Sequence, residues 1–141
     1  MRLFVSLALS LVLTPSLAAP AAAERGLARN GLSVAGDARG FEVFARAGIG
    51  GPDFFCAAGE FARTRLNARA TDRVEIARRL GPSATRANRR SVVFVLRPPG
   101  SGANRGLDAI LLRPGSEGTS RSVAHAAHLC EMLDRRRGGG K

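Results

Sequence analysis

Two cysteines, Cys56 and Cys130, are all the thiol chemistry in this 141-residue chain, and each falls in a segment with helical spacing. Residues 52–66 place Phe54, Ala58, Phe61, Ala62 and Leu66 at intervals of three to four, with Pro52 just outside and Asp53 as the expected N-cap. Residues 119–133 do the same, with Thr119 or Ser120 as the cap and Val123, Ala126, Ala127, Cys130 and Leu133 on one face. The cysteines lack CxxC spacing and have no evident thiolate-stabilising or metal-ligating neighbours, which argues against a redox or metal site. An exported chain with two cysteines most simply pairs them. Chain-entropy theory assigns a link across so long a loop about 4 kcal/mol.

Export is read from the first residues. Met1-Arg2 precedes an apolar run over residues 3–13, followed by Pro15 and small residues through Ala23, which is the pattern of a secretory signal peptide. The run is shorter than the roughly 20 apolar residues of a spanning helix, and no second run follows, so no transmembrane segment is expected in the mature chain. Residues 1–23 are therefore read as a signal peptide cleaved after Ala21 or Ala23, and the product as periplasmic or secreted. About 118 residues then remain, enough for one domain. Residues 24–39, rich in Gly, Arg and Ala without a clear period, are read as a poorly ordered lead-in. Residues 40–133 form the domain, and residues 134–141 a mobile basic tail.

Within the domain, residues 41–45 are β-favouring and bounded by glycines. Residues 71–81 are ambiguous: Asp72 and Glu75 suit a capping box, whereas Val74, Ile76 and Leu80 alternate as a strand, the reading preferred here. Residues 91–96 are apolar on both faces, as a central strand would be, and residues 107–112 form a further apolar run. The order β-α-β-β-β-α predicts an α+β fold, a small antiparallel sheet of three to four strands with two helices linked by one disulfide.

Phe41-Glu42-Val43, Cys56-Ala57-Ala58-Gly59, Gly81-Pro82-Ser83, Arg89-Arg90-Ser91, Leu112-Arg113-Pro114-Gly115 and Cys130 resemble small exported proteins of unknown function from alphaproteobacteria. The resemblance covers most of the domain through short motifs. It implies a shared disulfide-bonded export fold and carries no activity. Those proteins usually show aromatic residues in the segment corresponding to residues 74–80, which this chain lacks.

No catalytic or cofactor motif is present, and no cofactor is expected. His125 and His128 are one turn apart but lie opposite the apolar helix face without an evident third ligand, so no metal site is assigned. The glycines of residues 100–106 follow a strand, but no helix N-terminus follows to receive phosphate. The alternative reading is a small secreted hydrolase-like enzyme with unidentified catalytic residues, which a deep pocket lined by His125, Asp108 or Ser83 would favour; no motif supports catalysis.

Charge is the feature that stands out. The chain carries a net +11, and its 22 basic residues are unevenly placed. Nine arginines, Arg63, Arg65, Arg69, Arg73, Arg78, Arg79, Arg86, Arg89 and Arg90, face only Asp72 and Glu75 in their region, and Arg135, Arg136 and Arg137 lie in the tail. Codon bias explains arginine over lysine but does not localise it. These twelve are read as one electrostatic surface of a non-enzymatic interaction or envelope-associated module, binding an anionic envelope surface or polyanion without sequence-specific nucleic-acid recognition.

Overall fold

The computed structural model describes residues 22–102 and 110–139. The expected signal peptide lies outside them except for Ala22 and Ala23, as do residues 107–109 of the expected strand at 107–112.

Six strands form one sheet: β1 (Glu24–Leu27), β2 (Ser33–Asp37), β3 (Gly40–Phe44), β4 (Arg73–Pro82), β5 (Arg90–Arg97) and β6 (Ser120–Ser122). Their order is β1-β2-β3-β5-β4-β6, and every neighbouring pair is antiparallel. Among the described residues two long helices, α1 (Gly51–Thr64) and α2 (Val123–Gly138), complete the α+β fold and share a hydrophobic core with one sheet face. The sheet is thus larger than the three to four strands expected.

The core follows from strand alternation. Val34, Phe41, Val43, Val92, Phe94, Val74 and Ile76 project from β2 to β5 into the core. Phe55 of α1 meets Phe94 edge-on at 5.2 Å, and Phe61 meets Phe41 at 5.2 Å. Such aromatic pairs add about 0.5–1.5 kcal/mol to the area they bury. Helix α1 therefore seats Phe55 and Phe61 on the two central strands, β5 and β3.

Helix α2 packs antiparallel to α1 through three successive contacts: Arg137 with Asp53, the Cys56–Cys130 disulfide, and Ala126-Ala127 against Gly59. The cysteine Cα atoms are 4.9 Å apart across 74 residues of sequence. A Cβ on Gly59 would stand 2.5 Å from the Ala127 amide nitrogen and 2.6 Å from the Ala126 Cβ, so the closeness of the helices depends on the missing side chain.

Several expectations need correction. Residues 24–39 are not a loose lead-in: β1 and β2 form a hairpin pair, and Val34, buried in the core, faces Val43. Glu60 of α1 holds the turn between them by accepting the Arg29 N–H at 2.7 Å. The tail is helical through Gly138, so Arg135, Arg136 and Arg137 form the last turn of α2. Ile110 and Leu111 lie in a helical turn and Leu112 has φ +51°, so the described part of residues 107–112 is not a strand. The strand beside β4 is β6 instead. At α1 the N-cap is Gly50, Pro52 lies inside the first turn, and the Asp53 carboxylate accepts the Gly50 N–H. At α2 the cap is Ser122, which accepts the His125 N–H at 3.3 Å. The strand preferred for residues 71–81 is β4.

The Gly59 contact makes a contrast testable. Gly59→Ala is expected to lower stability by about 1–3 kcal/mol through overpacking. Gly138→Ala, with nothing within 4 Å of its added Cβ, is expected to leave stability unchanged or to raise it by up to about 1 kcal/mol. Denaturant midpoints of the oxidised proteins measure both, and equal effects would contradict the close helix approach.

Candidate anion-binding surface

The twelve arginines do not form one surface. Arg63 and Arg65 lie at the C-terminal end of α1, and Arg69 and Arg73 follow beside the start of α2, where Val123 and Ala124 N–H groups donate to the Asp72 and Ala70 carbonyls. Arg135, Arg136 and Arg137 lie at the opposite end, beside the start of α1. Fourteen helical residues separate these ends by about 21 Å. The Debye length at physiological salt is about 8 Å, so the two groups act on a partner independently.

Several of the arginines are already engaged. Arg69 pairs with Asp72 at 2.9 Å, Arg78 with Glu42 at 3.1 Å, and Arg137 with Asp53 at 2.6 Å. Hydrogen bonds from the Arg69 side chain and N–H hold the Asp72 carboxyl below its usual value. Arg73 donates Nε and Nη2 to the Ser120 hydroxyl at 2.9 and 2.8 Å, while Arg121 donates to the Ser120 carbonyl at 2.8 Å. Burial and then the neighbouring Arg73 charge lower the pKa of Arg121. Arg63, Arg65, Arg79, Arg89, Arg90, Arg135 and Arg136 have no ion pair among the described residues.

The loop between β4 and β5, residues 83–89, is fastened to the second sheet face by Glu42. This carboxylate, only 7% exposed, accepts hydrogen bonds from Ser83 Oγ (2.8 Å), the Ala84 N–H (2.8 Å), Ser91 Oγ (3.2 Å), Arg78 and Thr85 Oγ1. Burial alone would raise its pKa. The hydrogen bonds from Thr85, Ala84, Ser83 and Ser91 outweigh burial and lower it to about 2. Ser83 Oγ also accepts the Thr85 and Arg86 N–H groups, and the Arg86 guanidinium sits 4.0 Å from the Phe44 ring centroid. The loop is thereby held so that Arg89 and Arg90 stand near the start of α1.

There they border a cleft of about 320 Å³. Its apolar part is Ile49, Phe54 and Leu80; its cations are Arg46, Arg89 and Arg90; no carboxylate lines it. The nearest carboxylate on α1, Asp53, is occupied by Arg137 and the Gly50 N–H. Arg46 donates one Nη2 bond to the Asn30 carbonyl, and Asn30 in turn donates to the Asp53 carbonyl. Arg46 and Arg137 are thus linked through Asn30 and Asp53. Arg46 was missed in the sequence because it stands outside the arginine-dense region, and only the return of β5 beside β3 brings it to Arg90.

The candidate catalytic side chains do not converge. Ser83 lies just past the far end of β4 from Arg73, whose strand partner Ser122 caps the helix bearing His125; the facing stretch of β5, Arg90 to Arg97, spans about 23 Å. Asp108 lies outside the described residues. His125 and His128 are exposed, and His128 Nδ1 lies 3.1 Å from the Glu131 carboxylate. Burial, followed by Arg121 and His128, lowers the His125 pKa. Among the described residues no group of three His, Cys, Asp or Glu side chains could hold a metal ion, and no helix is long and apolar enough to cross a membrane. No protein-family model, no curated protein and no solved structure matches this chain.

The Glu42 pKa has a pH consequence. A depressed folded-state pKa stabilises the fold fully above the ordinary glutamate value of 4.5, and the contribution is lost as pH falls toward about 2. Glu42→Gln is expected to cost about 1–3 kcal/mol at neutral pH. Its deficit relative to the parent protein should shrink across that acidic window. Urea unfolding at several pH values checks this; a deficit independent of pH would contradict the assigned hydrogen bonding.

Proposed function

We propose that the protein is a small exported interaction module that binds anionic partners, with no chemistry of its own. Its binding end is the one where Arg46, Arg89 and Arg90 border a cleft without a carboxylate and α2 ends in Arg135 and Arg136. The single observation that carries this reading is that local uncompensated positive charge, fixed in place by the Glu42-anchored loop. Guanidinium groups suit carboxylate and phosphate through planar paired donors. Export supplies the setting, since envelope lipids and polysaccharides present such groups, and the disulfide is in keeping with an oxidising compartment.

No base-specific reading is part of this proposal. Phenylalanine is the sole aromatic type, and Phe41, Phe44, Phe54, Phe55, Phe61 and Phe94 are all buried, so among the described residues no ring is presented for stacking on bases. The attraction is of the general, counterion-releasing kind.

Binding to a short DNA duplex, used as a generic polyanion, tests the proposal. The logarithm of the observed affinity should fall linearly with the logarithm of salt, and Arg89→Gln/Arg90→Gln should reduce the slope by up to about 2. Arg63→Gln/Arg65→Gln, at the far end of α1, should leave it nearly unchanged. No binding at about 50 mM salt, or affinity insensitive to salt up to about 200 mM, would contradict the proposal.

A further inference from the structure

A polyanion needs only the charge at this end of the molecule, yet the cleft combines charge with apolar surface. Ile49 and Leu80 are half-buried and line it beside Phe54, with Ala45 and Ala47 completing the apolar side. Ile49 stands in the connection from β3 to α1, and Leu80 near the end of β4, where its N–H donates to the Pro114 carbonyl. The opposing border is basic. Arg90 extends from the first residue of β5, its carbonyl accepting the Ala45 N–H, and Arg89 follows Asn88, whose φ of +58° turns the loop back toward the sheet. Arg46, in the same connection as Ile49, supplies the third cation from the apolar side.

We infer that this cleft binds a free single-chain amphiphilic anion, a carboxylate or phosphate headgroup on a short or medium apolar chain. The inference rests on the anion-binding proposal and adds a ligand class to it. Two features select that class. Three guanidiniums with no carboxylate among the lining residues repel one another, and an anionic headgroup relieves the repulsion. An apolar chain laid against Ile49 and Leu80 removes exposed apolar surface at about 25 cal/mol per Å², a gain that a bare inorganic anion does not obtain. At about 320 Å³ the cleft falls at the small end of ligand cavities, which run from about 300 to 1,000 Å³. That size favours one chain over the paired chains of a bilayer lipid.

Calorimetry with the oxidised full-length mature protein separates the contributions. Decanoate is the probe, inorganic phosphate supplies an anion without a chain, and decyltrimethylammonium supplies the chain with a cation. Decanoate is expected to bind with one-to-one stoichiometry, and phosphate and the cationic amphiphile at least about tenfold more weakly. Arg89→Gln/Arg90→Gln should weaken decanoate by about tenfold or more, and so should Ala47→Glu, which adds a carboxylate at an exposed lining position without disturbing the core. Ile49→Ser should weaken decanoate while leaving DNA binding intact, with circular dichroism confirming that each variant is folded.

If DNA binds in the salt-dependent manner described but decanoate does not, or binds no better than phosphate, the amphiphile inference is overturned and the anion-binding proposal stands. Equal binding of decanoate and decyltrimethylammonium would also overturn it, since the chain alone would then account for affinity. Failure of both DNA and decanoate would overturn the proposal and the inference together.

Discussion

The antiparallel contact between α1 and α2 is the constraint on which the rest of the structure depends. Gly59 lets the two helices approach, the Cys56–Cys130 bond prevents their separation, and Arg137 closes the far end on Asp53. With α2 held there, Cys56, Ala57 and Ala58 are covered completely, and α1 can bury residues around most of its circumference instead of along a single stripe. Its phenylalanines are free to meet the sheet while its small residues meet α2. A domain of this size gains only modest stability from its apolar core, which is why a link of about 4 kcal/mol matters to it.

The same antiparallel arrangement divides the charge. The N-terminal end of one helix and the C-terminal end of the other fall together, so Asp53 and Arg137, 84 positions apart in sequence, become neighbours while Arg63 and Arg137 are carried to opposite ends. The nearby acids are engaged: Asp53 at the α1 start by Arg137 and Gly50, and Glu42 on the second sheet face by the loop it anchors. Arg89 and Arg90 are left without a carboxylate partner among the described residues, and the potential of that end is set by unbalanced guanidinium groups.

Much of this was legible where burial leaves a strong periodic signal. Residues 91–96 read as a central strand because apolar side chains occupy both faces, and Phe54, Ala58 and Phe61 marked α1 at helical spacing. The hairpin of β1 and β2 was not legible, since Glu24, Arg25, Gly26, Ala35 and Gly36 carry little β preference and only the scattered Ala28, Leu32 and Val34 commit that segment to the core. Its pairing comes from backbone bonds to β3, a tertiary influence that local composition does not report. The helical ending of α2 was hidden by its glycines, although Arg137 finds a buried carboxylate there. For the candidate site, the abundance of arginine was plain, but which arginines share a cleft depends on β5 returning beside β3, and Glu42 gave no sequence signal because its donors come from residues 78–91.

Hydrogen exchange on the oxidised and the reduced protein tests the helix clamp most directly, because local opening is read amide by amide. The account predicts that reduction speeds exchange most in α2 and at the start of α1, by up to about a thousandfold if the full 4 kcal/mol is lost, while β3 and β5 change least. Unchanged protection of α2 after reduction, or equal loss across β3, β5 and α2, would contradict the claim that the disulfide-linked helix pair holds this end of the molecule together.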